Sequence, residues 1–148
     1  MSLVGNAIQI DLATNPLYER LLKERGFTSL NQDNLAHFLE QSGFGMLLFL
    51  EDPNRMKETM DALVIAPELA KTFDQIKNKG VLIPPDAKPV ARKYGFRRWP
   101  AIVLLKDGQY LGAIDGLRQW GEYMVEIEQT LSNEPTRPPT IGIPVASV

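Results

Sequence analysis

Two uninterrupted apolar runs of strand length constrain the fold of this chain more than any other feature of its sequence. The first run covers residues 45–50 and the second covers residues 101–105. A strand with one face in water alternates apolar and polar residues, whereas a strand covered on both faces reads as a continuous apolar run. Both runs are therefore predicted to be buried strands of one sheet.

Helical and strand patterns surround these two runs. Asn15-Pro16 is typical of a helix start, with Asn15 as the cap, and Asp107-Gly108 is a strong signal for a β-hairpin turn. The predicted elements in chain order are a helix from 16 to Gly26, a strand at 27–28, a helix at 32–41, the strand at 45–50, a long helix at 59–78 that contains Pro67, a strand at 81–83, a short helix at 86–95 capped by Asp86, the strand at 101–105, its hairpin partner at 109–114 and a last helix at 117–131. This order predicts an α/β fold, a mixed central sheet flanked by helices on both faces that ends in an antiparallel hairpin and a C-terminal helix.

One folded domain is predicted over residues 15–132. Residues 1–14 show no clear period, so an extended or mobile N-terminal lead-in is expected there. Residues 133–148 contain four prolines and little that could form a core, which predicts a flexible proline-rich tail. Within the domain, Trp120 belongs to the apolar stripe of the last helix and is predicted to pack inward or on the helix edge.

The composition excludes several classes of chemistry. The chain has no cysteine, which excludes disulfides, thiolate catalysis, thiolate metal sites and iron–sulfur clusters within it. It has one histidine and no carboxylate cluster with the spacing of a calcium loop, so no metal site is predicted. No phosphate-binding loop or nucleophile motif is present, so neither a cofactor nor an enzyme activity is predicted.

Charge and hydropathy limit the partners. A formal net charge of −2 gives no general attraction to nucleic acid or to anionic lipid. The sequence does not open with a basic segment and an apolar run, and the run at 46–50 is far too short to span a bilayer. We therefore expect no nucleic-acid partner, no direct membrane insertion and a cytoplasmic location.

Residues 89–132 resemble the C-terminal half of thioredoxins. The run PVARKYGFRRWP at 89–100 is similar to their short helix, tyrosine–glycine turn and proline, and AIVLLKDGQYLGAIDG at 101–116 is similar to the hairpin that ends their sheet. Residues 65–69 resemble the kinked helix that follows their redox motif. The resemblance implies a thioredoxin-like fold with a cis peptide bond between Trp99 and Pro100. It also implies that the main-chain amide and carbonyl of Trp99 face outward, toward a bound extended peptide.

The same resemblance implies that the redox chemistry of thioredoxins is lost. Counted back from residues 65–67, the two redox cysteines would fall at Thr59 and Ala62. A hydroxyl group and a methyl group cannot exchange disulfides. The buried acid that assists the thiols of thioredoxins would lie in the strand at 46–50, which contains no acid. The fold is therefore expected without its usual function.

Over residues 15–132 the chain is similar to one cysteine-lacking branch of this fold, the accessory proteins of membrane-bound nickel–iron uptake hydrogenases (HyaE/HupG type). The segments that carry the similarity are NPLYERLLKERGFTSLNQDNLAHFLEQ from 15, GMLLFLEDPNR from 45, ELAKTF from 68 and YGFRRWPAIVLLKDGQYLGAIDGLRQWGEY from 94. The resemblance implies a chaperone of hydrogenase maturation whose partner is the hydrogenase small subunit or its twin-arginine signal peptide. Holding that signal would delay export until the metal centres are assembled.

An acidic segment is the candidate recognition surface for such a peptide. Residues 51–68 contain five acids and two bases, and in a thioredoxin-like fold they lie at the same end as Trp99-Pro100. An acidic rim beside an aromatic side chain suits a basic, partly apolar peptide, although acids at a helix start are also favoured by the helix dipole alone. The predicted partner-binding residues are Trp99, Pro100, Arg97, Arg98, Glu51, Asp52, Glu58 and Asp61.

Some interpretations stay open at the level of the sequence. Arg97 and Arg98 could bind a carboxylate of the partner, remain solvated, or pair with the turn at 51–52. A second function is a generic redox-inactive peptide-binding or scaffold domain of another assembly. A third is an enzyme that holds a glutathione-like ligand beside Pro100. The sequence does not determine the oligomeric state.

Overall fold

A computed structural model describes residues 9–139 of the chain. Within that range a single sheet of five strands is combined with five α-helices and one short 3-10 helix. The elements in chain order are the 3-10 helix Leu12–Thr14, α1 Pro16–Glu24, β1 Phe27–Ser29, α2 Leu35–Leu39, β2 Phe44–Phe49, α3 Glu58–Thr72, β3 Ile76–Leu82, α4 Ala87–Ala91, β4 Ala101–Lys106, β5 Gln109–Asp115 and α5 Trp120–Leu131. None of these helices is long and apolar enough to cross a bilayer.

The sheet is mixed, as the order of elements predicts. Its strand order is β1-β3-β2-β4-β5, with β1, β3 and β2 parallel and with β4 antiparallel to both β2 and β5. The turn between β4 and β5 consists of Asp107 and Gly108, both with positive φ. Two successive residues with positive φ are what a tight hairpin turn of this type requires. The predicted hairpin is thus confirmed.

Helices cover both faces of the sheet. On one face α1, α3 and α5 enclose a cluster that includes Leu21, Leu69 and Ile127. On the other face α2 and α4 pack over a second cluster that includes Phe38 and Val90. Because β2 and β4 lie between the two layers, the apolar runs that begin at 45 and at 101 are buried throughout. The prediction from their unbroken apolarity is confirmed.

Helix α3 is shorter than the sequence predicts. The periodicity favours a helix to residue 78, whereas α3 ends at Thr72 and Ile76 opens β3. Ile76 continues the apolar stripe of the helix, but it is buried equally well in the strand, where it lies opposite Phe44 of β2. Pairing with β2 overrides the local helical period here. The predicted helix at 59–78 is therefore wrong over its last six residues, and the predicted strand at 81–83 begins too late.

Three further local predictions are wrong. The helix expected at 32–41 is limited to α2, since Asn31 and Asn34 use their side chains in turns before it. Asp86 precedes α4 but its carboxylate does not cap that helix; it accepts from the backbone N–H of Gln32 at 3.4 Å instead.

Trp120 does not pack inward as predicted. It is 46% exposed, because α5 begins at this residue and buries Tyr123, Ile127 and Leu131.

The described parts of the lead-in and the tail lie against the domain. Leu12 is buried in the core, and the Asn54 side chain bridges the N–H and carbonyl of Ile10 at 2.9 and 2.8 Å. After α5, the N–H of Thr136 donates to the carbonyl of Tyr110 in β5 at 2.9 Å. The remaining residues of the predicted lead-in (1–8) and tail (140–148) lie outside the described range.

Candidate functional site

Strand pairing brings the predicted site residues to one end of the sheet. β2 ends at Phe49 opposite Ala101 of β4, and β5 ends at Asp115 opposite the same residue. Pro100, the start of α3 and the residues after β5 therefore meet at this end, which we call the Pro100 end.

The peptide bond between Trp99 and Pro100 is cis, as the resemblance to thioredoxins implies. A second cis bond, between Pro84 and Pro85, is not anticipated from the sequence. The Pro100 carbonyl accepts from the N–H of Gly116 at 2.8 Å. Within residues 9–139, neither the N–H nor the carbonyl of Trp99 has a hydrogen-bond partner, so both groups are available to a ligand.

The Trp99 side chain is held by other aromatic rings. It is half-buried and meets the ring of Phe49 edge-on, with ring centroids 6.3 Å apart, and the ring of Phe96 at 5.2 Å. Edge-to-face pairs of this kind fix the orientation of an indole ring and add to its burial. Trp99 therefore offers a rigid apolar surface with its exposed part at the Pro100 end.

A small apolar concavity lies beside Pro100. Its walls include Ala62 and Ile65 of α3, Ile114 of β5 and Tyr123 of α5. Ala62 is one of the two positions where the resemblance puts a redox cysteine. The structure thus brings this position and Pro100 into the same depression, which carries no reactive group.

Thr59, the other such position, has a structural contact. Its side chain is fully buried, and its hydroxyl donates to the carbonyl of Glu51 at 2.8 Å. This bond ties the first turn of α3 to the end of β2. A hydroxyl that is buried and already engaged is not available to attack a substrate. The assignment of the lost redox pair to Thr59 and Ala62 stays a prediction.

The acids predicted to form a rim fall into two groups. The side chain of Glu51 is only 14% exposed and lies 3.3 Å from Nζ of Lys88. Asp52 accepts from the N–H and side-chain amide of Asn54, at 2.9 and 2.8 Å, and so shapes its own turn. Glu58 and Asp61, in the first turn of α3, form no ion pair with another described residue.

The free acidic charge is therefore smaller than the sequence suggests. Glu68, also in the acidic segment, lies 2.7 Å from the guanidinium of Arg25, the residue that follows α1. The hydrogen bond from Arg25 lowers the pKa of Glu68, with the charges of Arg25 and Lys71 adding to it against slight burial. Glu58 and Asp61 are the acids of this segment that remain for a partner at the Pro100 end.

Arg97 and Arg98 do not pair with the turn at 51–52. Both side chains are exposed, and both backbone N–H groups donate to Oδ2 of Asp115, at 2.8 and 3.0 Å. Nε of Arg98 lies 3.5 Å from the other carboxylate oxygen of Asp115. One carboxylate thus holds the segment that leads into Trp99-Pro100. Of the interpretations left open for these arginines, pairing with 51–52 is wrong.

Asp115 is a residue that the sequence analysis missed. Burial would raise the pKa of Asp115, but the N–H groups of Arg97 and Arg98 and the charges of Arg98 and Arg118 together lower it below its usual value. Arg118 also donates to the Asp115 carbonyl and lies 3.0 Å from Glu126 of α5. Asp115 precedes a glycine at the end of the hairpin strand, but nothing in the sequence indicates that its carboxylate reaches back to 97–98.

No metal site emerges from the described part of the chain. Among residues 9–139, no three histidine or carboxylate side chains are arranged to hold a metal ion. The groups present at the Pro100 end are apolar walls, the unpaired acids Glu58 and Asp61, the exposed arginines at 97–98 with the Asp115 carboxylate, and a main-chain amide and carbonyl. Such an arrangement can bind an extended polypeptide, and it contains no group poised for covalent chemistry.

Comparison with known proteins identifies the family. The family model described as Hydrogenase-1 expression protein HyaE matches residues 17–123. The chain belongs to the HyaE family. Hydrogenase expression/formation protein HoxO of Cupriavidus necator is 35% identical over 137 residues, which cover 91% of this chain and 85% of that protein. HoxO of Azotobacter vinelandii is 34% identical, with 87% and 86% covered.

Other HyaE relatives and a solved structure agree with this placement. Hydrogenase expression/formation protein HupG of Rhodobacter capsulatus is 29% identical over 80% of this chain and 87% of its own. A chain in the crystal structure of a ferredoxin:thioredoxin reductase and thioredoxin f2 complex superposes with a TM-score of 0.60 at 17% identity, covering 73% of this chain and 97% of that chain. The thioredoxin-like fold is thus confirmed, and the chain belongs to a family of accessory proteins of hydrogenase expression and formation.

Proposed function

We propose that this HyaE-family protein is a non-catalytic chaperone for the small subunit of a nickel–iron uptake hydrogenase, and that it binds the twin-arginine signal peptide of that subunit before export. The observation that carries the proposal is the Pro100 end itself. The segment before Pro100, with the unpaired main chain of Trp99, lies beside a helix start where Thr59 and Ala62 offer no reactive atom. A site of this kind binds a polypeptide and does not react with it.

The main chain of Trp99 supports recognition of an extended segment. A free N–H and a free carbonyl on one residue can form the paired hydrogen bonds of a short added strand. These bonds are independent of the partner's side chains, so they provide affinity without selectivity. Selectivity then comes from the half-buried Trp99 side chain and from charge.

Charge supports a basic partner. Glu58 and Asp61 have no ion-pair partner among the described residues, and they lie at the same end as Trp99. Two adjacent arginines of a signal peptide can each form charge-assisted hydrogen bonds to such carboxylates. Since a twin-arginine signal is present only until export, a chaperone that binds it acts in the cytoplasm.

A titration with the labelled signal peptide tests the proposal. At low salt we expect Glu58→Lys together with Asp61→Lys to weaken binding by about tenfold or more, since like charges replace attractive ones. Glu19→Lys is the control, because Glu19 is also a first-turn acid and its reversal shows the effect of a charge change at a helix start away from the Pro100 end. Equal weakening in both variants, or no binding by the native protein, would reject the proposal.

A further inference from the structure

A depression of about 480 Å³ lies near the turn of the β4–β5 hairpin, at the opposite end of that hairpin from Pro100. Three segments that are distant in sequence line it: Lys93 and Tyr94 after α4, residues 108–110 at the turn, and residues 135–138 after α5, which we call the strap. Concave surfaces of about 300–1,000 Å³ are the usual sites of small ligands in proteins. The depression shares no lining residue with the concavity beside Pro100.

The strap is held against the domain from both sides. The N–H of Thr136 donates to the carbonyl of Tyr110 in β5 at 2.9 Å. Just beyond the strap, the carbonyl of Pro139 lies so close to Gly95 that a Cβ added to this glycine would collide with it. Arg137 lies between these two contacts, so its position beside the depression is fixed by the backbone on either side.

Two cationic side chains line the depression. Lys93 belongs to the domain and Arg137 to the strap, and both are exposed. Neither forms an ion pair with another described residue. No acid is present among the described residues that line the depression. Two cations without a counter-charge beside one concave surface attract an anion.

Tyr94 adds a hydrogen-bond donor. Its side chain is only 6% exposed, and its ring meets that of Phe49 edge-on at 5.9 Å. Within residues 9–139 its hydroxyl has no hydrogen-bond partner, although no fully enclosed polar side-chain atom in that range is left unpaired. The hydroxyl therefore reaches the surface, and the depression is the surface that Tyr94 lines. Burial raises the pKa of Tyr94, so the hydroxyl keeps its proton and can donate to an anion.

We infer that this depression is a binding site for a small molecule that carries a phosphate or carboxylate group. The oxyanion lies between Lys93 and Arg137 and accepts a hydrogen bond from Tyr94. Because one cation belongs to the domain and the other to the strap, the bound anion also joins the strap to the domain. The inference is independent of signal-peptide binding at the Pro100 end, since the two sites have no lining residue in common.

Titration of the native protein with inorganic phosphate and, separately, with succinate tests the inference. The ionic strength is kept constant with sodium chloride, and the amide chemical shifts are followed by NMR. We expect shifts at residues 93–94, 108–110 and 136–137 that saturate with at least one of the two anions, and the anion that saturates them identifies the preferred group. Shifts that grow without saturating for both anions would reduce the site to general screening and overturn the inference.

Substitutions locate the anion within the depression. Lys93→Met combined with Arg137→Met should weaken binding by about tenfold or more, and Tyr94→Phe, which keeps the packing of the ring, should weaken it by about fivefold. Arg92→Met is the matched control, because Arg92 is an exposed base beside Lys93 that does not line the depression. Unchanged affinity in Tyr94→Phe, or equal weakening in Arg92→Met, would contradict the assignment.

Hydrogen exchange at Thr136 provides a second, independent measurement. A bound anion that joins the strap to the domain should slow the exchange of the Thr136 amide by about threefold or more, since this amide donates to the Tyr110 carbonyl. The slowing should disappear in Arg137→Met and persist in Arg92→Met. Saturable binding that leaves the exchange of Thr136 unchanged would place the anion elsewhere on the surface and overturn the inference.

Discussion

Two loops border the Pro100 end, and they are held in different ways. The loop at 50–57 is fixed from inside, since the buried hydroxyl of Thr59 binds the carbonyl of Glu51 and Pro53 is buried beneath it. The loop at 95–100 also buries Phe96, but its backbone N–H groups at 97 and 98 are held by the carboxylate of Asp115 at the end of another strand, and that carboxylate is partly exposed. The hydrogen bond that holds the first loop is thus buried, whereas those that hold the second loop are near solvent.

This difference separates stability from recognition. Removing the Thr59 hydroxyl leaves the buried Glu51 carbonyl without a donor, and water cannot take its place. The free energy of unfolding of the whole domain should therefore fall. A change in the clamp of the second loop leaves amides that water can solvate, so binding should suffer more than folding does. Each of the following variants tests one side of that contrast.

The largest effect is expected from Thr59→Val. Valine keeps the shape of threonine but leaves the Glu51 carbonyl without its donor, which should lower the free energy of unfolding by about 2–3 kcal/mol. Thr59→Ser keeps the donor and should lose about 1 kcal/mol, for the missing methyl group. Urea unfolding measures both, and a serine variant that is the less stable of the two would contradict the contrast.

Asp115→Ala should have a smaller effect on stability and a larger one on binding. The loss of two hydrogen bonds at a partly exposed carboxylate should reduce the free energy of unfolding by about 1 kcal/mol. The amides of Arg97 and Arg98 should exchange faster with solvent, and peptide affinity should fall because the backbone that leads into Trp99 is less firmly held. Asp115→Asn, which retains oxygen acceptance, is the control. Unchanged exchange at both amides would show that another contact holds the loop.

The pH dependence of stability tests the same clamp. Because the pKa of Asp115 is lowered on folding from its usual 3.8, the ionised group stabilises the native state at neutral pH, and this contribution is lost as the pH falls through the lowered pKa. Thermal unfolding of the native protein should therefore show a loss of stability in acid that is smaller in Asp115→Asn. Parallel curves for the two proteins would assign the acid sensitivity to other carboxylates.

The smallest effect is expected at the Lys88–Glu51 pair. Nζ of Lys88 is 3.3 Å from the Glu51 carboxylate, but the lysine side chain is 58% exposed. Such a pair contributes about 0.5 kcal/mol or less. A double-mutant cycle of Lys88→Met and Glu51→Gln gives the coupling energy. A coupling as large as the effect of Thr59→Val would mean that the first loop also depends on an external contact.

The order of helices and strands could be predicted from the sequence because it depends on patterns within a few neighbouring residues. The unbroken apolarity of residues 45–50 and 101–105 and the turn residues Asp107-Gly108 act over a few positions, and the structure confirms them. Ile76 could not be placed in this way, since it fits both the helical stripe and the strand, and only pairing with β2 decides.

The site was predictable in outline but not in its contacts. Trp99-Pro100 was found through a resemblance, and the acids at 51–61 were found through composition. Two features depend on distant contacts that no local pattern encodes: the reach of Asp115 to residues 97–98, and the exposure of Trp120 at the start of α5. The sequence analysis therefore predicted more unpaired acids than the structure has, and it missed the hydrogen bonds between Asp115 and the amides at 97–98.

The chain after α5 limits how much open sheet edge this fold offers to another chain. The N–H of Thr136 donates to the Tyr110 carbonyl, and the side-chain amide of Asn133 donates to the Leu111 carbonyl at 3.2 Å, so part of the outer edge of β5 is already covered. The opposite edge is β1, which is only three residues long. Open sheet edges recruit extended chains into aggregates. If the protein binds a polypeptide as proposed, so little free edge lets it hold that chain at the Pro100 end and release it again without extending its own sheet.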